Sequence, residues 1–293
     1  MSRARKFYLE NAAGERRDLN GRERIYFTEP VGLGITLAQS YADLGSGFFS
    51  PISTGSEPQQ QPGGTLNFTG PEPYADYREL INWMSEADEL VLVYVPYGTE
   101  EFYRRVDINY LSKGELNFVR WLTVPISFNT LTPWYRATPS KLTLAVTEGN
   151  ELRYPYYYTE DLIYGSNSTA AMSADIAKGG HVPAAIRLSY TGSILNPRIS
   201  LIGAQTGKTY GICSIGAQLG SSDTLEFSTL QRGSYARVRS AVGAVTDLLD
   251  KLDLSTEPFF RIPLGEPCVL EIAADAEFSG TADLQIYYYY RSV

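Results

Sequence analysis

A single histidine in 293 residues sets the first limit on what this chain can do. His181 stands in Gly179-Gly-His-Val-Pro183, so a Ser-His-Asp triad, or most imidazole acid–base chemistry, has only that place to be. No Gly-x-Ser-x-Gly elbow accompanies it, and it reads as a loop or edge-strand histidine. Cysteine is almost as scarce. Cys213 and Cys268 have neither Cys-x-x-Cys nor Cys/His zinc spacing. They read as two buried free thiols, with a disulfide left open by the sequence. No apolar run approaches the ~18 residues of a membrane span, and Met1-Ser-Arg-Ala-Arg-Lys-Phe-Tyr8 lacks the apolar core of a signal peptide. The chain is therefore expected to be made in the cytosol without membrane insertion, and to leave a cell by lysis or inside a particle.

Basic charge is short as well. The net charge is −8, spread evenly over both halves, and the basic stripe of a duplex-DNA binder is missing. The densest basic stretch is the first 24 residues, with seven basic and four acidic groups. Glu10, Glu15, Asp18 and Glu23 interrupt it, so it reads as a solvated hairpin. There is no phosphate loop or dinucleotide fingerprint. Gly203-Ala-Gln-Thr-Gly-Lys-Thr209 matches a phosphate loop only at its end and reads as a hairpin turn. Asp247, Asp250 and Asp253 would share one exposed side of a short helix lined by Val242, Val245, Leu248, Leu249 and Leu252. No catalytic residue, metal or cofactor is expected. One local signal tempts: Asn196-Pro-Arg198 matches part of the galectin His-x-Asn-Pro-Arg strand, but Ile194 replaces the histidine. The tryptophans of a sugar platform (Trp83, Trp121, Trp134) all lie earlier. Asn196 and Arg198 are the weak glycan-site candidates.

What the chain does have is aromatic residues, 22 Tyr and 12 Phe. These fit half-buried pleated surfaces and interface cores. The hydrophobic fraction of 43% suits a folded chain. Its length suits two domains of about 100–200 residues, and a boundary is expected near Thr138-Pro-Ser140, giving 1–137 and 138–293. A fragment ending near Ala137 is then expected to fold and oligomerise.

In the first part, Phe7–Leu9, Arg24–Phe27, Thr65–Phe68, Leu90–Val95, Tyr103–Leu111 and Leu116–Phe128 read as strands. Residues 53–64 are a polar Gly/Pro/Gln loop. Tyr74, Tyr77, Leu80, Ile81 and Met84 recur on one face of a helix entered through Pro71 and Pro73. The second part reads as short strands of an antiparallel sandwich: Leu142–Thr147, Leu152–Tyr158, Pro183–Thr191, Arg198–Ala204, Tyr210–Ser214, Thr224–Ser228, Tyr235–Val238, Cys268–Ala273 and Ala282–Arg291. Residues 165–180 read as a long mobile loop. Tyr156–Tyr158 and Tyr287–Tyr290 offer rings to both strand faces.

An ordered series of marks carries a family resemblance. Gly32-Leu-Gly34 comes first, then Tyr41 and Phe48-Phe49, the helix Tyr74–Met84 and the strand Leu90–Tyr94. Tyr103-Arg-Arg-Val106, Lys113-Gly-Glu115 and Pro133-Trp-Tyr135 close it. Residues 7–136 resemble the N-terminal domain of the phage distal tail protein family. The rest resembles that family's galectin-like domain more loosely, through Pro183–Ile186, Tyr190-Thr-Gly192, Asn196-Pro197 and Phe259–Gly265. The resemblance implies a mainly β fold, with a sandwich-like ring domain bearing one helix and then a galectin-like antiparallel β-sandwich. It implies a virion protein, assembled in the host bacterial cytoplasm as a homohexameric ring at the end of the tail tube. Neighbours in the ring would join partly through an extended hairpin, and DNA would pass through. Implied partners are the tail tube protein, a tail-associated hub or lysin protein, and receptor-binding or baseplate proteins, without sequence-specific nucleic-acid binding. A phage-tail-like bacteriocin, or a module binding cell-wall glycans, are the alternatives. Phe48, Phe49, Trp134 and Tyr135 are the candidates for oligomer interface or core.

Overall fold

A computed structural model describes residues 5–21, 24–52, 57–147, 169–275 and 279–293. The described backbone is strand and turn with one α-helix, the mainly β class expected from the aromatic and β-branched content. Two compact units divide the chain: Met1–Arg136 with Tyr289–Val293, and Ala137–Tyr288. Among the described residues, no helix is long and apolar enough to cross a membrane.

The first unit contains β1 (Lys6–Asn11), β2 (Arg16–Asp18), β3 (Ile25–Val31), β4 (Tyr41–Gly45), β5 (Phe48–Pro51) and β6 (Gly63–Phe68). Then come α1 (Pro73–Ser85), β7 (Leu90–Val95), β8 (Phe102–Leu111), β9 (Leu122–Thr130) and the start of β10 (Trp134–Lys141). Antiparallel pairing runs β3-β6-β9-β8-β7-β1-β2, and β10 joins β8 through Tyr135 and Tyr103. Alternate residues of these strands face one core: Phe7 and Leu9, Leu66 and Phe68, Val124, Ile126 and Phe128. Phe7 meets Phe27 edge-on at 5.0 Å and stacks on Tyr94 at 4.8 Å, which ties β1, β3 and β7 together. Helix α1 begins at Pro73, whose missing N–H costs nothing in a first turn. It buries Leu80, Trp83 and Met84, with Tyr74, Tyr77 and Ile81 packed at the core's edge.

Two first-unit expectations change. The strand expected over Leu116–Phe128 starts at Leu122, and Leu116–Trp121 is a turn beyond it. Pro125 nevertheless sits inside β9. Its carbonyl accepts from Ser112 N at 3.0 Å, so its missing N–H falls on the same side, beside the β8 bulge between Ile108 and Tyr110. The polar loop of 53–64 is also not free over its described part. Gln60 N donates to Thr130 Oγ1 (3.1 Å), Thr130 N to Gln60 O (3.1 Å) and Phe128 N to Pro62 O (2.8 Å), laying 57–62 along β9. Residues 53–56 lie outside the described residues.

The second unit holds β11 (Thr143–Thr147), β12 (Thr169–Ile176), β13 (Val182–Leu195), β14 (Arg198–Gly203), β15 (Thr209–Ser214) and β16 (Gln218–Leu219). It continues with β17 (Thr224–Ser228), β18 (Tyr235–Arg239), β19 (Val245–Asp247), β20 (Cys268–Ala273) and β21 (Ser279–Tyr290). One sheet runs β19-β18-β17-β13-β21 with β16 on β13, and the other β11-β12-β20-β14-β15. This is the expected antiparallel two-sheet sandwich. Cys268, Leu270 and Ile272 of β20 alternate inward, as do Leu188 and Tyr190 of β13 and Leu225 and Phe227 of β17. Phe227 packs against Phe259 and Phe260 at 5.9 and 6.0 Å. Both cysteines are free and buried, and burial pushes the Cys213 thiol up to about 12.

Residues 165–168 of the expected 165–180 loop lie outside the described residues, and over 169–180 the chain is instead largely β12. Met172, Ala174 and Ile176 face inward, and small residues between them had hidden the alternation. The helix expected over Val242–Leu252 does not form. Val242 lies at an exposed turn, Val245–Asp247 is β19, and only a 3-10 turn at Leu249–Lys251 follows, while Leu248 and Leu252 are buried. The expected strand Leu152–Tyr158, with Tyr156–Tyr158, lies outside the described residues.

The end of the chain belongs to the first unit. Tyr290 meets Phe102 edge-on at 5.4 Å, Tyr289 meets Tyr135 at 6.3 Å, and Val293 packs on the core. Deleting Tyr289–Val293 is therefore expected to lower first-unit stability by about 3 kcal/mol or more, from the area of two rings and a valine. Urea unfolding of the 1–288 chain, followed by hydrogen exchange in β8, checks this. A fragment ending at Ala137 should show the same loss.

Candidate assembly surface

Positions that looked chemical in the sequence hold backbone in place. Among the described residues, no cluster of three His, Cys, Asp or Glu could hold a metal. The Gly203–Thr209 turn links β14 to β15, as its hairpin reading required. Its amides are occupied: Gln205 N and Thr206 N donate to Glu266 Oε2 at 3.2 and 3.1 Å. Thr206 Oγ1 donates to Glu266 Oε1 at 2.8 Å, and the Tyr210 hydroxyl donates to the same oxygen. A phosphate would find this nest filled by a carboxylate. The Tyr210 bond, then the Thr206 bond, hold the Glu266 carboxyl below its ordinary value. The three aspartates share no helix side. Asp247 accepts from Leu249 N (2.8 Å), Asp253 from Ser255 N (2.9 Å), and Asp250 lies 3.4 Å from Lys251.

Asn196 forms the bend between β13 and β14. Its φ of 50° is left-handed, a conformation asparagine tolerates better than most residues. Its side-chain amide donates to Asp275 at 2.8 Å, so the amide of the galectin-like triplet is engaged in the fold. Arg198 starts β14, exposed, and no sugar platform faces it from a tryptophan of this unit.

Exposed apolar surface is the outstanding feature of the first unit. Among the described residues β4 and β5 pair only with each other, and Ser46 and Gly47 turn them with φ of 55° and 82°. Two positive φ values in a two-residue turn match the twist of a hairpin. Phe49 lies opposite Asp43, and Phe48 falls on the other face. Phe48 is 70% exposed and Phe49 64%. Tyr41, Leu44 and Ile52 are exposed beside them. Both phenylalanines are thus surface residues, whereas Trp134 is fully buried and Tyr135 stacks on Tyr103 at 5.7 Å. A lone two-stranded hairpin with apolar side chains on both faces is marginal in water. Its root is fixed. Gly32 has φ 71°, and a Cβ there would sit 2.8 Å from Pro62 Cα, so only glycine lets the two legs meet.

A second apolar projection follows β8. Asn117 Oδ1 accepts from Val119 N (3.0 Å) and Trp121 N (2.9 Å), and Arg120 takes φ 63°. This Asx-type turn holds Phe118 at 98% exposure, with Val119 and Trp121 half exposed. Behind it, Lys113 Nζ lies 4.7 Å over the Tyr74 ring, and Tyr74 donates to Glu115 at 2.6 Å, bracing the turn on α1. The sequence named Lys113 and Glu115 but missed Phe118, because Leu116–Trp121 reads there as the start of the expected strand ending at Phe128.

Three of the seven basic groups near the start of the chain are paired with carboxylates, partly from residues far along it. Arg16 pairs with Glu10 (2.6 Å) and Glu101 (3.0 Å), Arg17 with Glu79 (2.9 Å) and Arg24 with Asp76 (3.4 Å). The Glu101 bond leads in raising the Arg16 pKa and lowering that of Glu101. Arg22 and Glu23 lie outside the described residues.

Residues 6–131 match the family described as distal tail protein, N-terminal domain. Among solved structures, a chain of the phage P2 baseplate in its activated conformation with Ca is 15% identical. The match covers 99% of this chain and 100% of that one, with a TM-score of 0.65. The crystal structure of SPP1 Dit, described as a paradigm of hub adsorption apparatus in phages infecting Gram-positive hosts, is 11% identical over 96% of this chain and 98% of that one. Its TM-score is 0.56. No curated protein matches the chain.

The Glu266 cluster gives a pH test. Its folded pKa is lowered, so its stabilisation is complete above the ordinary value of 4.5 and is lost as pH falls through the lower folded value. Glu266→Gln should lower the thermal midpoint at pH 7. The gap to wild type should close as the pH falls below that folded value. A gap independent of pH would mean the charge is not what holds the hairpin.

Proposed function

We propose that this chain, whose residues 6–131 match the distal tail protein N-terminal domain, belongs to that family and is a structural hub of a phage tail. In this reading it forms a ring, of six copies, at the distal end of the tail tube. The β4–β5 hairpin supports this most directly. It is apolar on both faces, self-paired and rooted at a fixed position, and a free monomer would leave it wet. A second copy of the same chain gives it cover, and a head-to-tail contact closes into a ring when its rotation divides the circle.

The remaining roles follow from that reading. Tail tube protein docks on one side of the ring, and a hub or lysin protein on the other. Receptor-binding or baseplate proteins dock on the second unit, and the particle is assembled in the host cytoplasm. The SPP1 relative is itself described as a hub. The protein turns over no substrate, a reading consistent with a lone histidine and with carboxylates committed to turns. DNA passes without being held, a reading supported by the pairing of Arg16, Arg17 and Arg24 with carboxylates, which weakens their attraction for phosphate.

Two measurements check this. Native mass spectrometry of the purified chain, alone and with its tail neighbours, should show a hexamer. Phe48→Ser with Phe49→Ser should reduce it to monomers that retain wild-type circular dichroism. Each buried phenylalanine is worth about 1.5–3 kcal/mol, so assembly should weaken by roughly a hundredfold or more. Assembly unchanged in the double variant would remove the hairpin from the interface. The assembled ring should also show no salt-sensitive retention of duplex DNA, and tight retention would contradict the conduit role.

A further inference from the structure

The second unit treats two of its sheet edges differently. β15 ends one sheet, and residues 251–256 run along it. Gly216 N donates to Lys251 O at 2.9 Å, Asp253 N to Ser214 O at 3.0 Å, and Thr256 Oγ1 to Ile212 O at 2.9 Å. β19 ends the other sheet, and among the described residues no strand pairs with it on its far side. The ladder to β18 decides which backbone groups are left over. Ser240 N donates to Ala244 O at 2.9 Å and Leu248 N to Ala236 O at 2.8 Å, and Val238 stands opposite Thr246 between them. Bonded and non-bonded pairs alternate in an antiparallel ladder, so Val245 and Asp247 turn their N–H and C=O groups outward. Residues 244–248 have no proline, no lysine and no bulge against β18, the usual means of blunting an edge. All three residues of β19 are exposed, and Val242, Leu249 and Leu254 are exposed near them in the chain.

We propose that the β19 edge is a strand-addition site for an extended segment of another tail protein in which apolar and basic residues alternate. The inference rests on the reading that baseplate proteins dock on the second unit, and it names the place and chemistry of that contact. The outward groups of Val245 and Asp247 supply the main-chain bonds, and exposed apolar side chains meet alternate residues of the guest. Charge selects the guest. From Val242 to Glu257 the chain carries Asp247, Asp250, Asp253 and Glu257 against Lys251 alone. Lys251 lies 3.4 Å from Asp250. On β18, Arg237 and Arg239 share Glu226 at 2.6 and 2.9 Å, which leaves the surroundings of the edge acidic. A second copy of this edge would set acid against acid, and like charges destabilise strand pairs.

The full chain is mixed with an end-blocked peptide, Lys-Val-Lys-Val-Lys-Val, and hydrogen exchange is followed residue by residue. Binding should slow exchange at Val245 and Asp247 tenfold or more and leave Thr246, already in the ladder, unchanged. The Glu-Val counterpart should bind at least tenfold more weakly. Val245→Pro removes an N–H on the open side, so no ladder bond is lost and circular dichroism should match wild type. It should weaken the Lys-Val peptide tenfold or more, and Asp250→Lys severalfold. No protection of Val245 and Asp247 at millimolar peptide overturns the proposal, as does equal affinity for the acidic peptide. Self-association that Val245→Pro abolishes also overturns it, because the edge then serves a second copy. In reconstitution with tail neighbours, Val245→Pro should recruit baseplate proteins at least tenfold less well. Recruitment equal to wild type keeps the docking reading and removes this site. If the wild-type chain recruits none, the docking reading fails, and the peptide result alone decides the edge.

Discussion

A buried guanidinium, bonded to a backbone carbonyl and an amide oxygen and within the field of Glu57, ties together the architecture of the first unit. Arg104 is almost fully buried in β8. It donates to Thr132 O at 2.9 Å and Gln60 Oε1 at 3.0 Å, and lies 5.3 Å over the Trp134 ring. Burial pulls its pKa down to about 10, which leaves it charged at neutral pH. A desolvated charge is tolerated only with such partners. It therefore holds three segments at once: the 57–62 strap, the turn before β10, and Trp134 beneath them. The strap in turn carries Pro62, against which Gly32 closes the root of the hairpin. The exposed apolar arm thus grows from beside a buried, hydrogen-bonded polar site.

That arrangement separates two uses of aromatic side chains. Phe7, Phe68, Phe128 and Trp134 are spent inside, where edge and stacked contacts lock the sheet. Phe48, Phe49 and Phe118 are held outside on turns that ordinary backbone chemistry makes rigid. Surface that is both apolar and pre-ordered favours association, since little conformational freedom is lost on contact. The same economy explains the neutralised arginines. Arg16 is committed to Glu10 and Glu101, so the basic stretch contributes to joining β1, β2 and the β7–β8 turn. The Glu266 carboxylate does equivalent work in the second unit, filling a turn that might otherwise receive an anion.

Periodicity decided much from the sequence alone. The 3.6-residue recurrence of Tyr74, Tyr77, Leu80, Ile81 and Met84 fixes helix α1, and alternation fixes Leu90–Val95 and Cys268–Ala273 as strands. The order of marks from Gly32 to Tyr135 carried a resemblance to the distal tail protein family, whose N-terminal domain matches residues 6–131. Where side chains were small or the segment short, pattern misled: β12 hides its alternation among alanines and serines, and Val242–Leu252 has helical spacing yet is pulled into β19 and a 3-10 turn by pairing with β18. What only the tertiary structure decided is which apolar residues stay outside. Phe128 and Phe118 look alike along the chain, but one meets a sheet partner and the other caps a turn. Exposure depends on what lies opposite in space, and local sequence contains no record of that. The same holds for Tyr289–Val293, whose place in the first unit follows from Phe102 and Tyr135, more than 150 residues before them.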